Sequence, residues 1–336
     1  MSLKSKFKTA GLAEKVDEAY LHEVQVYWFN RLKKVMPTDV HLALDNLGCR
    51  DLRFFPQDNK AFIPYLNSGY KAYSDKSLYD LLYPVDSAAD TVLKRVKDNY
   101  YLFGEPIKRS EILRELGELG CDLIIKPSNT NNGYKLCKLY YDNGLRYNDK
   151  PLRLDDLEKD YDSNYIIQHV LDQHPFMKTI HPDSVNTLRI VTLRFKQKLH
   201  HLLTFMRAGS GGKCNDNAAS GGIACGIDDE GRIIAPAFKK FEGNPVVYKH
   251  PTTNYDYTRG DIIPSYAECI AFALDLHRYD LHHNYISWDI AINPHGHPVF
   301  VEANYWGATW LYQLAARKPL FGDLTEDVTE YIRRVR

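Results

Sequence analysis

No run of about 18 consecutive apolar residues occurs anywhere in the chain, so no segment reads as a membrane span. The basic start MSLKSKFKTAG leads into VDEAYLHEVQ without the apolar core of a signal peptide, and a soluble, cytoplasmic protein is the expectation. Net charge is absent too. Lys plus Arg and Asp plus Glu balance at 43 each, which leaves no global field to attract nucleic acid, an acidic membrane or a polyanion. Any recognition of charge must be local. Six cysteines (Cys49, Cys121, Cys137, Cys214, Cys225, Cys269) stand without a CxxC or metal-finger spacing, in a chain too long to need disulfide staples, and read as reduced and mostly buried. The paired histidines His200 and His201, His282 and His283, and His295 and His297 offer no helical HxxxH face for zinc. The phosphate-loop pattern GxxxxGK[ST] is missing, no Ser, His, Asp triad is evident, and there is neither an internal repeat nor a low-complexity linker.

What is present suits a globular protein: 336 residues, 44% hydrophobic and 26% charged. The 24 tyrosines supply either ordinary core and surface or stacking faces for sugars and bases. Over the first 70 residues Val16, Tyr20, Val24, Tyr27 and Leu32 recur near a 3.6-residue period before Pro37, which predicts a helical region. Further helices are predicted for SLYDLLYP, AADTVLKRVKDNY and KRSEILRELGELG. From CDLIIKP onward the texture becomes short apolar runs separated by turn residues, a sheet-rich body interrupted by the helix SYAECIAFALDLHRYDL and closed by LTEDVTEYIRRVR. Strand-rich segments after helix-rich ones argue an α+β fold of two lobes.

Four stretches carry candidate chemistry. In SWDIAI-NPHGH-PVFVEAN, a turn centred between His295 and Gly296 sets Asp289 directly opposite Glu302, with Asn304 on Glu302's face. Two opposed carboxylates repel unless a cation lies between them or one is protonated. An oxygen set of Asp, Glu and Asn suits Mg²⁺ and gives zinc no His or Cys face; the alternative is the solvated outer face of an edge hairpin, against which apolar Trp288, Ile290, Phe300 and Val301 argue. In LIIKPSNTNNGYK an apolar strand delivers Lys126 to a small polar loop that can fold backbone amides over phosphates or be a solvated strand end. In NTLRIVTLRF, Arg189 is in line with Val191, Leu193 and Phe195 on a strand apolar on both faces, so it must pair with either a carboxylate or an anionic ligand. Arg207, ending the next strand, lies near it if the two form a hairpin across Lys196 to Lys198. The run AGSGGKCNDNAASGGIACGID permits close backbone approach to a ligand or forms a surface loop.

In order along the chain, SDK at 74–76, IIKP at 124–127, YIIQHVL at 165–171, SVNTLRIVT at 184–192, SGGIACGID at 220–228 and WDIAINPHGHPVFVEAN at 288–304 resemble the ATP-grasp superfamily. The resemblance is closest to its sugar-transfer-associated branch and spans roughly residues 70–310. It implies an ATP-grasp fold, two α+β lobes enclosing the nucleotide, divided here as a helical N-terminal region 1–75, a small lobe 76–167 and a large lobe 168–336. It implies ATP and Mg²⁺ as cofactors. Lys76 and Lys126 would reach the phosphates, the loop from Ser128 to Gly133 would cover them, and Gln168, His169, Val170 and Leu171 would form the adenine hinge. Arg189, with Arg207 as second candidate, would steady the γ-phosphate or acyl phosphate, and Asp289, Glu302 and Asn304 would bind the metal. The implied reaction is a carboxylate-amine ligation through an acyl phosphate, on a sugar-linked or amino-acid substrate of surface-polysaccharide biosynthesis. A kinase on the same scaffold and a non-catalytic carbohydrate-binding or scaffold protein are the alternatives. Two departures stand out: relatives commonly begin with a small α/β domain where residues 1–70 read as helical, and Gln168 stands where many carry an acidic hinge residue.

Overall fold

A computed structural model describes residues 3–130, 135–161, 163–211, 221–239 and 245–336. Its chain builds two antiparallel sheets. The first contains β1 (Thr91–Val96), β2 (Asn99–Leu102), β3 (Glu105–Pro106), β4 (Leu123–Pro127), β5 (Cys137–Tyr141), β6 (Leu145–Tyr147), β7 (Lys150–Pro151) and β8 (Asn164–His169), in the order β3-β2-β1-β8-β4-β5-β6-β7. The second contains β9 (Thr187–Phe195), β10 (Lys198–Ala208), β11 (Ile223–Ile227), β12 (Ile233–Lys239), β13 (Val246–Val247), β14 (Tyr285–Ile292) and β15 (Pro298–Asn304), in the order β13-β12-β11-β10-β9-β14-β15.

Alternation along each strand decides what each sheet covers. In the first sheet Leu123 and Ile125 of β4, Leu139 of β5, and Tyr165 and Ile167 of β8 turn to one core under the helices Ile112–Glu118 and Leu154–Tyr161. Their neighbours Ile124, Lys126, Lys138 and Gln168 turn the other way, to a cavity. The second sheet is apolar on both faces. Leu188, Ile190, Ile286, Trp288 and Ile290 pack with the helix Tyr266–Tyr279, while Val191, Leu193, Phe205 and Tyr285 pack with the N-terminal helices and the helices Thr309–Ala316 and Thr325–Val335.

The helical N-terminal region is therefore part of the second sheet's core. Asp17 caps the helix Glu18–Leu32 by accepting the Tyr20 N–H at 3.1 Å. Trp28 then meets Phe55 at 5.0 Å, and Phe62 meets Tyr285 of β14 at 5.4 Å, in edge-to-face geometry. Buried Gln313 fastens the same region, accepting the Phe55 N–H at 2.7 Å and donating to the Phe55 carbonyl at 2.9 Å.

One predicted helix is a hairpin. AADTVLKRVKDNY forms β1 and β2, joined through Lys97 at a positive φ of 56°. A β-bulge between Thr91 and Leu93 turns both Val92 and Leu93 into the same core, so the apolar spacing imitates a helix where the backbone is extended. No helix among the described residues is long and apolar enough to cross a membrane. Cys49, Cys121, Cys137, Cys225 and Cys269 are free thiols.

Candidate active site

A cavity of about 580 Å³ lies between the inner face of the first sheet and one end of the second. The first sheet contributes Ile124 and Lys126 from β4, Lys138 and Tyr140 from β5, and Gln168 and His169 from β8; the connection that follows adds Val170 and Leu171. Arg207 of β10, Asp289 of β14, and Val301 and Glu302 of β15 close it from the second sheet, and Lys76 enters from the segment leading into the first.

Asp289 and Glu302 are register partners. Asp289 is almost wholly buried and is held by two arginines: Arg189 grips it bidentately, Nε to Oδ1 at 2.7 Å and Nη2 to Oδ2 at 2.6 Å, and Arg207 adds Nη1 to Oδ2 at 2.6 Å. Asn304 donates to the same Oδ2 at 3.3 Å. Burial works to raise the Asp289 pKa, but the two guanidinium groups outweigh it and hold the carboxyl below the usual range, so it is ionised. Glu302 pairs instead with Lys76, Nζ to Oε1 at 3.1 Å.

Lys76 is fixed at both ends. Asp75 caps its short turn by accepting from the Ser77 N–H at 3.0 Å, the Lys76 N–H donates to the Ser128 carbonyl at 2.8 Å, and Nζ donates to the Thr130 carbonyl at 2.7 Å. Lys126 has no such partner among the described residues. Burial, aided by repulsion from Lys76 and opposed by Glu302 and Asp289, brings its pKa down to about 8. Tyr79 supports β15 from behind: its hydroxyl lies 3.3 Å from both the N–H and the carbonyl oxygen of Ala303.

The cavity thus brings Lys76, Lys126 and Arg207 together with Asp289 and Glu302 on a floor that includes apolar Ile124, Val301 and Leu171. That combination fits a ligand with an apolar flat end and a polyanionic end. Residues 59–329 match the sugar-transfer associated ATP-grasp family. The chain belongs to this family. Among curated proteins no match is found. Solved structures similar to the chain include an L-amino acid ligase from Bacillus licheniformis, 10% identical over 77% of this chain and 48% of that one, with a TM-score of 0.41. They also include a D-alanine–D-alanine ligase from Bacillus anthracis complexed with ATP, 12% identical over 78% and 68%, TM-score 0.43. The ATP-grasp ligase PsnB, complexed with minimal precursor, Mg and ADP, is 12% identical over 80% and 62%, TM-score 0.41. The chain spans about half the length of the first of these.

Within this ATP-grasp cleft, Lys76, Lys126, Gln168, His169, Val170, Leu171, Arg207, Asp289 and Glu302 come together as cavity walls. Others stand back from it. Arg189 is behind Asp289, its fork spent on that carboxylate and its Nη1 3.3 Å from the Tyr312 hydroxyl, so Arg207 is the arginine at the surface of the cavity. Ser128 is fully buried, its hydroxyl without a partner among the described residues, and its carbonyl accepts from the Lys76 N–H. Asn304 acts on Asp289. Gly133, and the glycine-rich run from 212 to 220, lie outside the described residues. Gln168 turns its amide nitrogen away to the Ala89 carbonyl at 3.1 Å and to Thr91 Oγ1 at 2.9 Å.

Sequence reasoning missed Lys138 and Tyr140, which line the cavity from β5. Their i, i+2 spacing in KLCKLYY carries the signal, since Cys137 and Leu139, which alternate with them, face the core.

Among the described residues no three His, Cys, Asp or Glu side chains converge as a metal-binding group. A cation held here would therefore rest on two carboxylates and an amide, all oxygen donors of the kind Mg²⁺ takes, with ligand phosphates or water completing its shell. Asp289 retains room for it at Oδ1, which accepts one bond, whereas Oδ2 receives three.

Proposed function

We propose that the protein is an ATP- and Mg²⁺-dependent ligase that activates a carboxylate as an acyl phosphate and passes it to an amine or similar nucleophile. The observation that carries this reading is the convergence of Lys126, Arg207, Asp289 and Glu302, drawn from both sheets, and of Lys76 from the turn before the first, on one cavity with an apolar end. Residues 76–167 and 168–336 would be the two lobes and 1–75 a region packed on the larger.

The adenine would lie against Ile124, Val301 and the Gln168–Leu171 hinge. Lys76 and Lys126 would take the phosphates; with a pKa of about 8, Lys126 is mostly charged at neutral pH. Mg²⁺, carried by Glu302, Asp289 Oδ1 and Asn304, would neutralise phosphate charge. A substrate carboxylate oxygen attacks the γ-phosphorus, the bond to the β,γ-bridging oxygen breaks, and ADP leaves. The nucleophile then adds to the acyl carbon and phosphate departs. Arg207 would hold the charge that the transferred group carries, and Arg189 would keep Asp289 and Arg207 in position. The family description, sugar-transfer associated, favours a sugar-linked substrate in polysaccharide biosynthesis.

Hydroxylamine trapping tests the reaction class. With ATP, Mg²⁺ and a panel of uronic and amino acids, a ligase forms a hydroxamate together with ADP and phosphate, and releases neither without the acid. ATP-dependent phosphorylation of a sugar hydroxyl, with no free phosphate, would instead make it a kinase.

A further inference from the structure

Two residues beyond Arg207 the chain reaches Gly209, whose polar groups are both held by buried side chains. Its N–H donates to Ser184 Oγ at 3.1 Å, on the cavity wall, and its carbonyl oxygen is 2.8 Å from His250 Nε2. The chain is then docked further: Gly211 N–H donates to Thr252 Oγ1 at 2.9 Å, and Ser210 Oγ to the Gly221 carbonyl at 2.6 Å. The socket for this segment is the turn from His250 to Tyr255.

The partners of His250 settle its protonation. A carbonyl only accepts, so Nε2 bears the hydrogen. The N–H groups of Thr252 and Thr253, at 3.2 and 3.3 Å, only donate, so Nδ1 is bare. His250 is fully buried and neutral. A second proton would be added at Nδ1, facing two donors, and would break the turn that seats Gly209.

Among the described residues no carboxylate faces the ring to compensate such a charge. The 181–186 segment presents His181, its ring 5.3 Å away. Tyr257 lies 6.5 Å away, and β10 presents Arg207, committed to Asp289. Asp183 acts on His181, and Lys249 and Asp256 face each other at 3.7 Å on the exposed side of the turn.

We propose that His250 is a positioning residue for the phosphate-binding arginine: in its neutral form it fixes Gly209 and so aims Arg207 into the cleft, and its protonation releases both. This rests on the reading of the cleft as a nucleotide site. Burial, first, and the neighbouring His181 push the His250 pKa below 6.5, while its bond to Gly209 opposes them. The anchoring is therefore complete above about pH 6.5, and is lost as pH falls from there through the lowered value of the folded state.

The test compares wild type with His250→Gln, whose amide can donate to Gly209 and accept from Thr252 and Thr253, and with His250→Ala. Amide exchange at Gly209 is followed from pH 8 to 5.5 with correction for intrinsic rates, and Mg-ATP affinity is measured by calorimetry on the same samples. Wild-type protection at Gly209 should fall about tenfold per pH unit below the unfolded pKa, one proton being taken up on opening, while H250Q stays flat. The ratio of wild-type to H250Q affinity cancels the nucleotide's own titration and should fall over the same range. Equal exchange profiles in wild type and H250Q overturn the proposal, whether or not H250A folds. Absence of Mg-ATP binding at every pH, with the exchange pattern intact, overturns the nucleotide reading and the role in aiming Arg207 while leaving the His250 anchor established.

Discussion

Removing the charge of Asp289 should cost far more stability than removing either arginine that holds it. The carboxylate is 2% exposed, and the Arg189 and Arg207 side chains are 13% and 9% exposed. Asp289→Asn keeps the shape but takes from both guanidinium groups, in a poorly solvated site, the carboxylate charge they share. Removing one partner of a buried pair costs about 3–5 kcal/mol, and one carboxylate here answers two cations, so the substitution belongs at the top of that range. Arg207→Met leaves the bidentate Arg189 fork in place and should cost about 1–3 kcal/mol, the range for losing charged hydrogen bonds. The assay is urea unfolding at neutral pH, with and without phosphate. Phosphate should restore part of the D289N loss by pairing with the stranded cations. A D289N midpoint within about 1 kcal/mol of wild type, or a larger loss for R207M than for D289N, would refute the electrostatic account.

Lys126 gives a pH signature. Its pKa near 8 makes the cleft lose a positive charge as pH rises, so Mg-ATP affinity should weaken above pH 8, and Lys126→Arg should abolish that alkaline fall. An unchanged limb in K126R would remove Lys126 from phosphate binding. Gly307 is sterically required, for a Cβ there would lie 1.9 Å from the Tyr312 hydroxyl. Gly307→Ala should destabilise by about 1–3 kcal/mol, and Tyr312→Phe should relieve part of it in a double-mutant cycle on thermal unfolding; additive effects would contradict the clash. Buried His277 donates to the His283 carbonyl at 2.9 Å and accepts from Thr192 Oγ1 at 2.7 Å, and burial holds its pKa near 4. Its contribution is present above about pH 6.5 and falls by roughly 3 kcal/mol as pH drops to 4. His277→Gln should flatten that part of the stability profile, and an unaltered acid slope would exclude it.

The hairpin around Asp289 marks how far sequence reasoning reaches. A turn centred between His295 and Gly296 predicts Asp289 opposite Glu302, and the two are partners, yet the same register would put Ile290 opposite Val301 where Phe300 stands. A bulge at Val301 shifts the pairing by one residue and restores the carboxylate pair, which no alternation pattern encodes. The same device hid β1, where consecutive Val92 and Leu93 share one core. Arg189 was legible as an arginine needing an anionic partner on a strand apolar on both faces. Its choice of Asp289, 100 residues away, depends on β9 and β14 being neighbours, a fact of topology. Lys138 and Tyr140 look like an outer strand face in sequence. They become cavity wall only because the second sheet stands opposite.

Asp289, Glu302 and Asn304 would carry a metal that ATP requires for binding over Lys76, Lys126 and Arg207. Calorimetric titration of ATP into wild type and Glu302→Gln, each with Mg²⁺ and with a chelator, tests it most directly. Wild type should bind tightly only when Mg²⁺ is present, and E302Q should lose that magnesium dependence. Binding of equal strength with and without Mg²⁺, or a magnesium dependence that E302Q leaves intact, would contradict it.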